Sequence, residues 1–179
     1  MGKLFFIFFI ALIQVESAYT PKRFLLIYEK QVVIKGNTSL GDFTCQIKQS
    51  HRADTLAYVK NKPYTFHLPV GDFGCGNFLL NRDFQHTLQA EDFPLVKVGL
   101  INPQDQEKYV LSDVMVGLAG KEVLKPQVQF KKACVENRMV LVSTLSMRFA
   151  EFGLTPPNRL GGLVQVDDHI TIEVEVAYQ

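Results

Sequence analysis

NFLLNRDFQHTLQAEDFPLVKVGL, running from Asn77 to Leu100, places a short polar, helix-compatible turn between two apolar runs. Asn81 can cap such a helix, because its side chain can accept from backbone N–H groups that the first turn leaves without partners. Phe84 and Leu88 are four apart and share one face, whereas Arg82, Asp83, Gln85, Gln89 and Glu91 are polar. Pro94 makes Phe93 extended and stops the helix. Leu95, Val96, Val98, Leu100 and Ile101 then resume a strand pattern. One small helix set among strands reads as a plug or lid on a β-structure.

Downstream, Asn102-Pro103-Gln104-Asp105 turns and Tyr109 to Leu118 is a further strand. Ala119-Gly120-Lys121-Glu122 has the character of a tight hairpin, since Gly120 supplies the positive φ such turns need. Val123 to Val135 pairs back, Glu136-Asn137 turns, and Met139 to Phe149 alternates through Val140, Val142 and Thr144. Glu151 to Pro157 is a rigid crossing segment. The cleanest alternation is Ile170 to Tyr178, ITIEVEVAY, with Ile170, Ile172, Val174, Val176 and Tyr178 on one face.

Upstream, Arg23 to Gly36 alternates through Phe24, Leu26, Tyr28, Val32 and Ile34. Asn37-Thr38-Ser39 and Gly41-Asp42 turn the chain into Phe43, Cys45 and Ile47, and strand-like runs follow at Leu56 to Val59 and Tyr64 to Val70. Seven or eight strands with one short helix predict an all-β sandwich or a closed antiparallel barrel. Closure is favoured, because the regular strand Ile170 to Tyr178 would otherwise leave an open edge.

The chain of 179 residues is 47% hydrophobic and 21% charged, which suits one domain. At this size folding buries about 70% of the unfolded surface. A net charge of +1 offers neither a basic stripe for nucleic acid nor an acidic tail. Fourteen Phe and no Trp supply large apolar side chains for a core or a cavity wall.

The N-terminus reads as a secretory signal peptide over residues 1–18, with Lys3 before the apolar run Leu4 to Ile13 and small residues at Ser17 and Ala18. That run is well short of the roughly 20 residues that span a bilayer, so no transmembrane anchor is expected. The folded domain is then 19–179, periplasmic or secreted. In such a compartment cysteines oxidise, and Cys45 with Cys75 is the favoured pair, both lying in Phe-containing strand-like segments. Closing that loop of about 30 residues is worth roughly 3.5 kcal/mol in the chain-entropy picture. The alternative is three buried thiols, since Cys134 is left over in any pairing. With no C-x-x-C, neither a thioredoxin-like site nor a zinc ribbon is supported.

Four blocks together resemble the YceI-like family, the lipid- or polyisoprenoid-binding proteins. They are Gly36-Asn37-Thr38-Ser39 leading into Phe43-Thr44-Cys45; Asn81-Arg82-Asp83-Phe84 with Leu88-Gln89-Ala90-Glu91-Asp92-Phe93-Pro94; Val116 to Val123 with a Gly at the hairpin tip; and Phe149 to Pro157 with the closing strand. The resemblance implies a closed, eight-stranded, lipocalin-like antiparallel barrel with a helix near one end and an apolar lumen for an isoprenoid chain. Such a barrel is just wide enough for one slender ligand. About 15 buried carbons supply roughly 12 kcal/mol, leaving micromolar affinity after the cost of association. The lumen candidates are Phe43, Phe66, Phe73, Phe78, Phe84, Leu88, Phe93, Phe149 and Phe152, each of which can equally be core.

Catalytic motifs do not emerge. His51, His67, His86 and His169 are scattered, and there is no H-E-x-x-H, G-x-S-x-G or Gly-rich phosphate loop. Asp167-Asp168-His169 suggests a metal but reads better as a solvated loop before the last strand, and Arg82-Asp83 reads better as helix-start charges than as an acid/base pair. Asn37-Thr38-Ser39 is a glycosylation sequon. The expectation is an exported, non-enzymatic carrier of an apolar lipid, with no cofactor beyond a bound isoprenoid lipid or quinone and no metal. Its partner is that small molecule rather than nucleic acid, and a homodimer is compatible with it. The competing expectation is a structural or stress-response interaction protein whose barrel is filled by its own side chains.

Overall fold

The computed structural model describes residues 24–49, 54–57 and 63–178; the signal segment, His51 and Val59 lie outside them. Ten strands form, β1 (Phe24–Thr38), β2 (Gly41–Gln49), β3 (Asp54–Ala57), β4 (Tyr64–Pro69), β5 (Leu95–Asp105), β6 (Tyr109–Leu118), β7 (Lys121–Val135), β8 (Arg138–Arg148), β9 (Asn158–Arg159) and β10 (Val164–Tyr178). One α-helix, α1 (Phe78–Thr87), lies between β4 and β5. Eight strands make one curled antiparallel sheet in the order β2-β1-β10-β8-β7-β6-β5-β4, with β3 extending β2's side of β1 and β9 pairing with β10. The fold is therefore all-β with one short helix, as expected.

β10 is central because it has both neighbours that its alternation demands. It pairs with β1 along most of its length and with β8 from His169 to Ala177. Its apolar face, Ile170 to Val176, looks into the concave side of the sheet. β1 changes phase on the way: a register shift between Ile27 and Glu29 puts Ile27 inward, followed by Val32 and Ile34. A strict alternation from Tyr28 misses this bulge.

Asp167-Asp168-His169 is not a loop. The three residues sit inside β10, and the Asp168 carboxylate accepts from the Ala150 N–H at 2.9 Å. Among the described residues no three His, Cys, Asp or Glu side chains gather as a metal site.

The sheet has two seams. At the first, no ladder joins the terminal strands β2 and β4 among the described residues. Instead Gln46 and Gly74 exchange two backbone hydrogen bonds of 2.9 and 2.8 Å, and Cys45 is bonded to Cys75 beside them. At the second, β7 pairs with β8 only through Lys131–Val135, and the rest of each strand turns to its other neighbour. β7 is also irregular on its other edge, where Pro126 has no N–H to donate and Gln127 takes a φ of 52°. Together they interrupt the register against β6, and the Asp113 carboxylate takes up the Gln127 N–H at 2.8 Å.

Candidate functional site

The concave side of the sheet encloses a cavity of about 80 Å³ lined by 23 residues, every one of them apolar. Along β1 the lining residues are Ile27, Val32 and Ile34, the first and last about 23 Å apart along the strand. The lining is thus drawn out along the concave face as an apolar slot. An apolar void of this kind stays dry.

Its walls come from strand alternation. Val96, Val98 and Leu100 on β5, Val114, Val116 and Leu118 on β6, and Ile170, Ile172, Val174 and Val176 on β10 each contribute every second residue. These aliphatic walls were legible as alternation, yet the candidates drawn from the family resemblance were almost all Phe. One charged residue shares the inward face of β1 with Val32 and Ile34. Lys30 is 5% exposed, with its Nζ 5.6 Å from the Phe66 ring centre.

The aromatic candidates divide by position. Phe66, Phe73, Phe84, Leu88, Phe149 and Phe152 line the slot, and the Phe73 and Phe84 rings meet at 5.5 Å. Phe43 instead lines a second, mostly apolar hollow of about 100 Å³ that shares Phe84 and Phe149 with the slot. Phe43 lies across from Gly36 in the β1–β2 ladder and its ring covers that glycine: a Cβ on Gly36 would fall 2.5 Å from the ring and displace it.

Phe78 and Phe93 are not lining residues. On α1 the inward stripe is Leu80, Phe84 and Leu88, four apart, and Phe78 falls outside it and is 78% exposed. Phe93 is exposed, with its ring over Gly120 in the Ala119-Gly120 hairpin turn. That turn has positive φ at both residues, 47° and 73°.

The helix starts earlier than the Asn81 reading implies. Asn77 is the N-cap, its side-chain oxygen accepting from the Leu80 N–H at 2.9 Å. Asn81 is already helical, and its Oδ1 accepts from the Cys75 N–H at 2.6 Å. The disulfide is thus connected to the helix both by chain and by hydrogen bond. Further along α1, Asp83 makes a two-pronged ion pair with Arg159 of β9, whose Nε lies 3.1 Å from Oδ2. Asp83 therefore latches the helix to the strand region beneath it, and Arg82 faces solvent.

A 3₁₀ turn, Phe149–Phe152, fills the second seam. Both phenyl rings point into the slot, while Glu151 between them faces outward to Lys125 on β7 at 2.6 Å. That hydrogen bond from Lys125 holds the Glu151 carboxyl below its ordinary value of 4.5; burial opposes it and the Arg148 N–H reinforces it. The turn closes on Gly153 in the left-handed region.

Outside the hollow, a polar groove of about 1150 Å³ runs between α1 and the 153–159 segment and includes Arg82, His86, Glu91 and Asn158. His67, His86 and His169 are all exposed and do not converge. Cys134 is a free, exposed thiol. No helix among the described residues is long and apolar enough to cross a membrane.

Sequence comparison finds no matching family model and no matching curated protein. Solved structures do match. BcnA of Burkholderia cenocepacia superposes with a TM-score of 0.58 at 11% identity, over 83% of this chain and 95% of BcnA. A polyisoprenoid binding domain from Saccharophagus degradans, implicated in plant cell wall breakdown, superposes with a TM-score of 0.60 at 9% identity. That match covers 88% of this chain and 98% of the domain. The curled sheet with its single helix is therefore the fold shared by BcnA and the Saccharophagus degradans domain.

Proposed function

We propose that the protein is an exported carrier that holds an apolar, polyisoprenoid-like lipid in the slot, with no catalysis of its own. The observation that supports this best is the wall: 23 lining residues and no polar group among them. A chain of methyl-branched hydrocarbon needs nothing else, because transfer of each methylene from water is worth about 0.8 kcal/mol without any directional contact. The polyisoprenoid binding of the Saccharophagus degradans domain supports the same ligand class.

On this reading the curled sheet works as a closed barrel. The Gln46–Gly74 bridge and the disulfide take the place of a β2–β4 ladder, and Phe149 and Phe152 plug the second seam. Residues 1–18 direct export and are removed, leaving 19–179 as the carrier in the periplasm or outside the cell. The ligand itself, an isoprenoid lipid or quinone, is the only bound group required. The Cys45–Cys75 bond is in keeping with an oxidising compartment.

A barrel filled by its own side chains draws support from the modest 80 Å³. Titration with an isoprenoid quinone, followed through quenching of tyrosine emission, separates the two. The chain has six Tyr and no Trp, so the signal is unobstructed. The carrier reading expects saturable micromolar binding that Val174→Phe, a plug in the slot wall, abolishes while circular dichroism is unchanged. A filled barrel gives no saturation in either protein.

A further inference from the structure

We infer that the helix-bearing end of the molecule docks on a lipid bilayer through a ring of exposed apolar side chains around the hollow that leads to the slot. The four most exposed large apolar residues among those described are Phe78 at 78%, Leu40 at 76%, Leu163 at 72% and Leu79 at 56%. They come from three separate places in the chain: the β1–β2 turn, the first turn of α1 and the turn before β10.

The structure brings those three places together. The Ser39 hydroxyl donates to the Leu163 carbonyl at 2.8 Å and the Ser39 N–H to the Gln165 carbonyl at 3.0 Å, which ties the two turns side by side. The hollow is lined by Thr38, Leu80 and Val164, one residue from each place. Leu80, itself 41% exposed, lies on the same helical stripe as Phe84, which is shared by hollow and slot. An apolar surface therefore continues from the rim to the interior.

The occupant is a bilayer rather than a second copy or a peptide, for three reasons. The rim is made of side chains on three separate chain segments rather than of one continuous helix or strand face; a fluid bilayer accommodates such protrusions in any arrangement. The charge of these segments suits phospholipid: 38–41, 76–82 and 159–165 contain no carboxylate, and their charged residues are Arg82 and Arg159. Asp83, the adjoining acid on α1, and Arg159 pair with one another, which leaves Arg82 as the charge these segments offer, and Asp42 borders the first of them. Finally, a water-insoluble passenger resides in membrane, so the opening of its carrier has to reach one. This last reason rests on the carrier reading; the first two do not.

The lack of Trp allows a direct test. The protein expressed from its full sequence is given a single reporter, Phe78→Trp or Leu163→Trp at the rim, or Met139→Trp at the opposite end, where Met139 is 46% exposed. Each is mixed with vesicles of phosphatidylcholine and phosphatidylglycerol brominated in the acyl chains, without isoprenoid. Docking predicts blue-shifted, quenched emission from both rim reporters and none from Met139→Trp. In the Leu163→Trp protein, Leu40→Ser and Phe78→Ser each weaken vesicle binding about tenfold, the loss of one inserted apolar side chain.

Unchanged rim emission with vesicles overturns the proposal. So does a rim shift that grows with protein concentration in the absence of lipid, which assigns the surface to a second copy. Because the vesicles carry no ligand, a passenger extracted from a protein that fails to dock leaves the carrier reading standing. Docking by a protein that takes up no isoprenoid removes the carrier reading and leaves the interface.

Discussion

The two seams of the sheet are closed by different chemistry. Between β2 and the chain after β4, the closure is covalent and backbone-based: one disulfide and one pair of reciprocal hydrogen bonds. Between β7 and β8 the closure is made of side chains, two phenyl rings inside and the Lys125–Glu151 pair outside. A covalent seam constrains the unfolded chain and answers to redox conditions; a side-chain seam answers to pH and can open locally. The first therefore sets the stability of the fold. The second, like the Asp83–Arg159 latch, rests on side-chain contacts that bear on local rather than global stability.

Breaking the covalent seam has the largest effect. The Cys45→Ser, Cys75→Ser double variant loses about 3.5 kcal/mol, and reductant lowers the urea midpoint of the native protein to that of the variant while leaving the variant unmoved. Equal sensitivity to reductant in both would remove the distinction between the seams.

The ionic seam is weaker. Glu151→Gln leaves Lys125 short of a charged partner and costs about 1–2 kcal/mol in chemical denaturation. Its pH signature has a definite sign. The native Glu151 carboxyl titrates below its ordinary 4.5, so the unfolded chain binds more protons in that range. Its contribution is fully present above about pH 4.5 and is lost as pH falls through the lowered native value. Glu151→Gln therefore flattens the acid limb of the stability curve below pH 4.5, a limb the cysteine variant retains.

The smallest effect is expected at the helix latch. Asp83 is 14% exposed but Arg159 is 52% exposed, so Asp83→Asn changes global stability by about 0.5–1 kcal/mol. Amide exchange should nevertheless accelerate selectively in 78–88, since the latch restrains the helix and not the sheet.

The sheet was legible where alternation was unbroken. ITIEVEVAY showed both its strand and its inward face, and Phe84 with Leu88 marked the inward side of the helix, because burial on one face is the same constraint that selects the residues. Legibility failed at local backbone choices. Which asparagine caps the helix is decided by Cys75, whose N–H occupies Asn81 and leaves Asn77 for the cap. Val123 to Val135 reads as one uninterrupted strand, whereas its register against β6 breaks at Pro126 and Gln127 and its ladder with β8 is confined to Lys131–Val135. The aromatic candidates Phe78 and Phe93 show the limit of residue type as a guide: equal in hydrophobicity to Phe84, they are directed by helix phase and by a hairpin to the outside. Lys30 is in phase with Val32 and Ile34, so the alternation of β1 does place it inward; its charge hid it from a reading that looked only for apolar residues.

The central claim, an occupied apolar slot, is tested most directly by native mass spectrometry with organic extraction of the protein purified from its own compartment. The account predicts a stoichiometric apolar passenger that is displaced in the Val174→Phe variant. A protein that is empty as isolated and takes up no added isoprenoid quinone would contradict it.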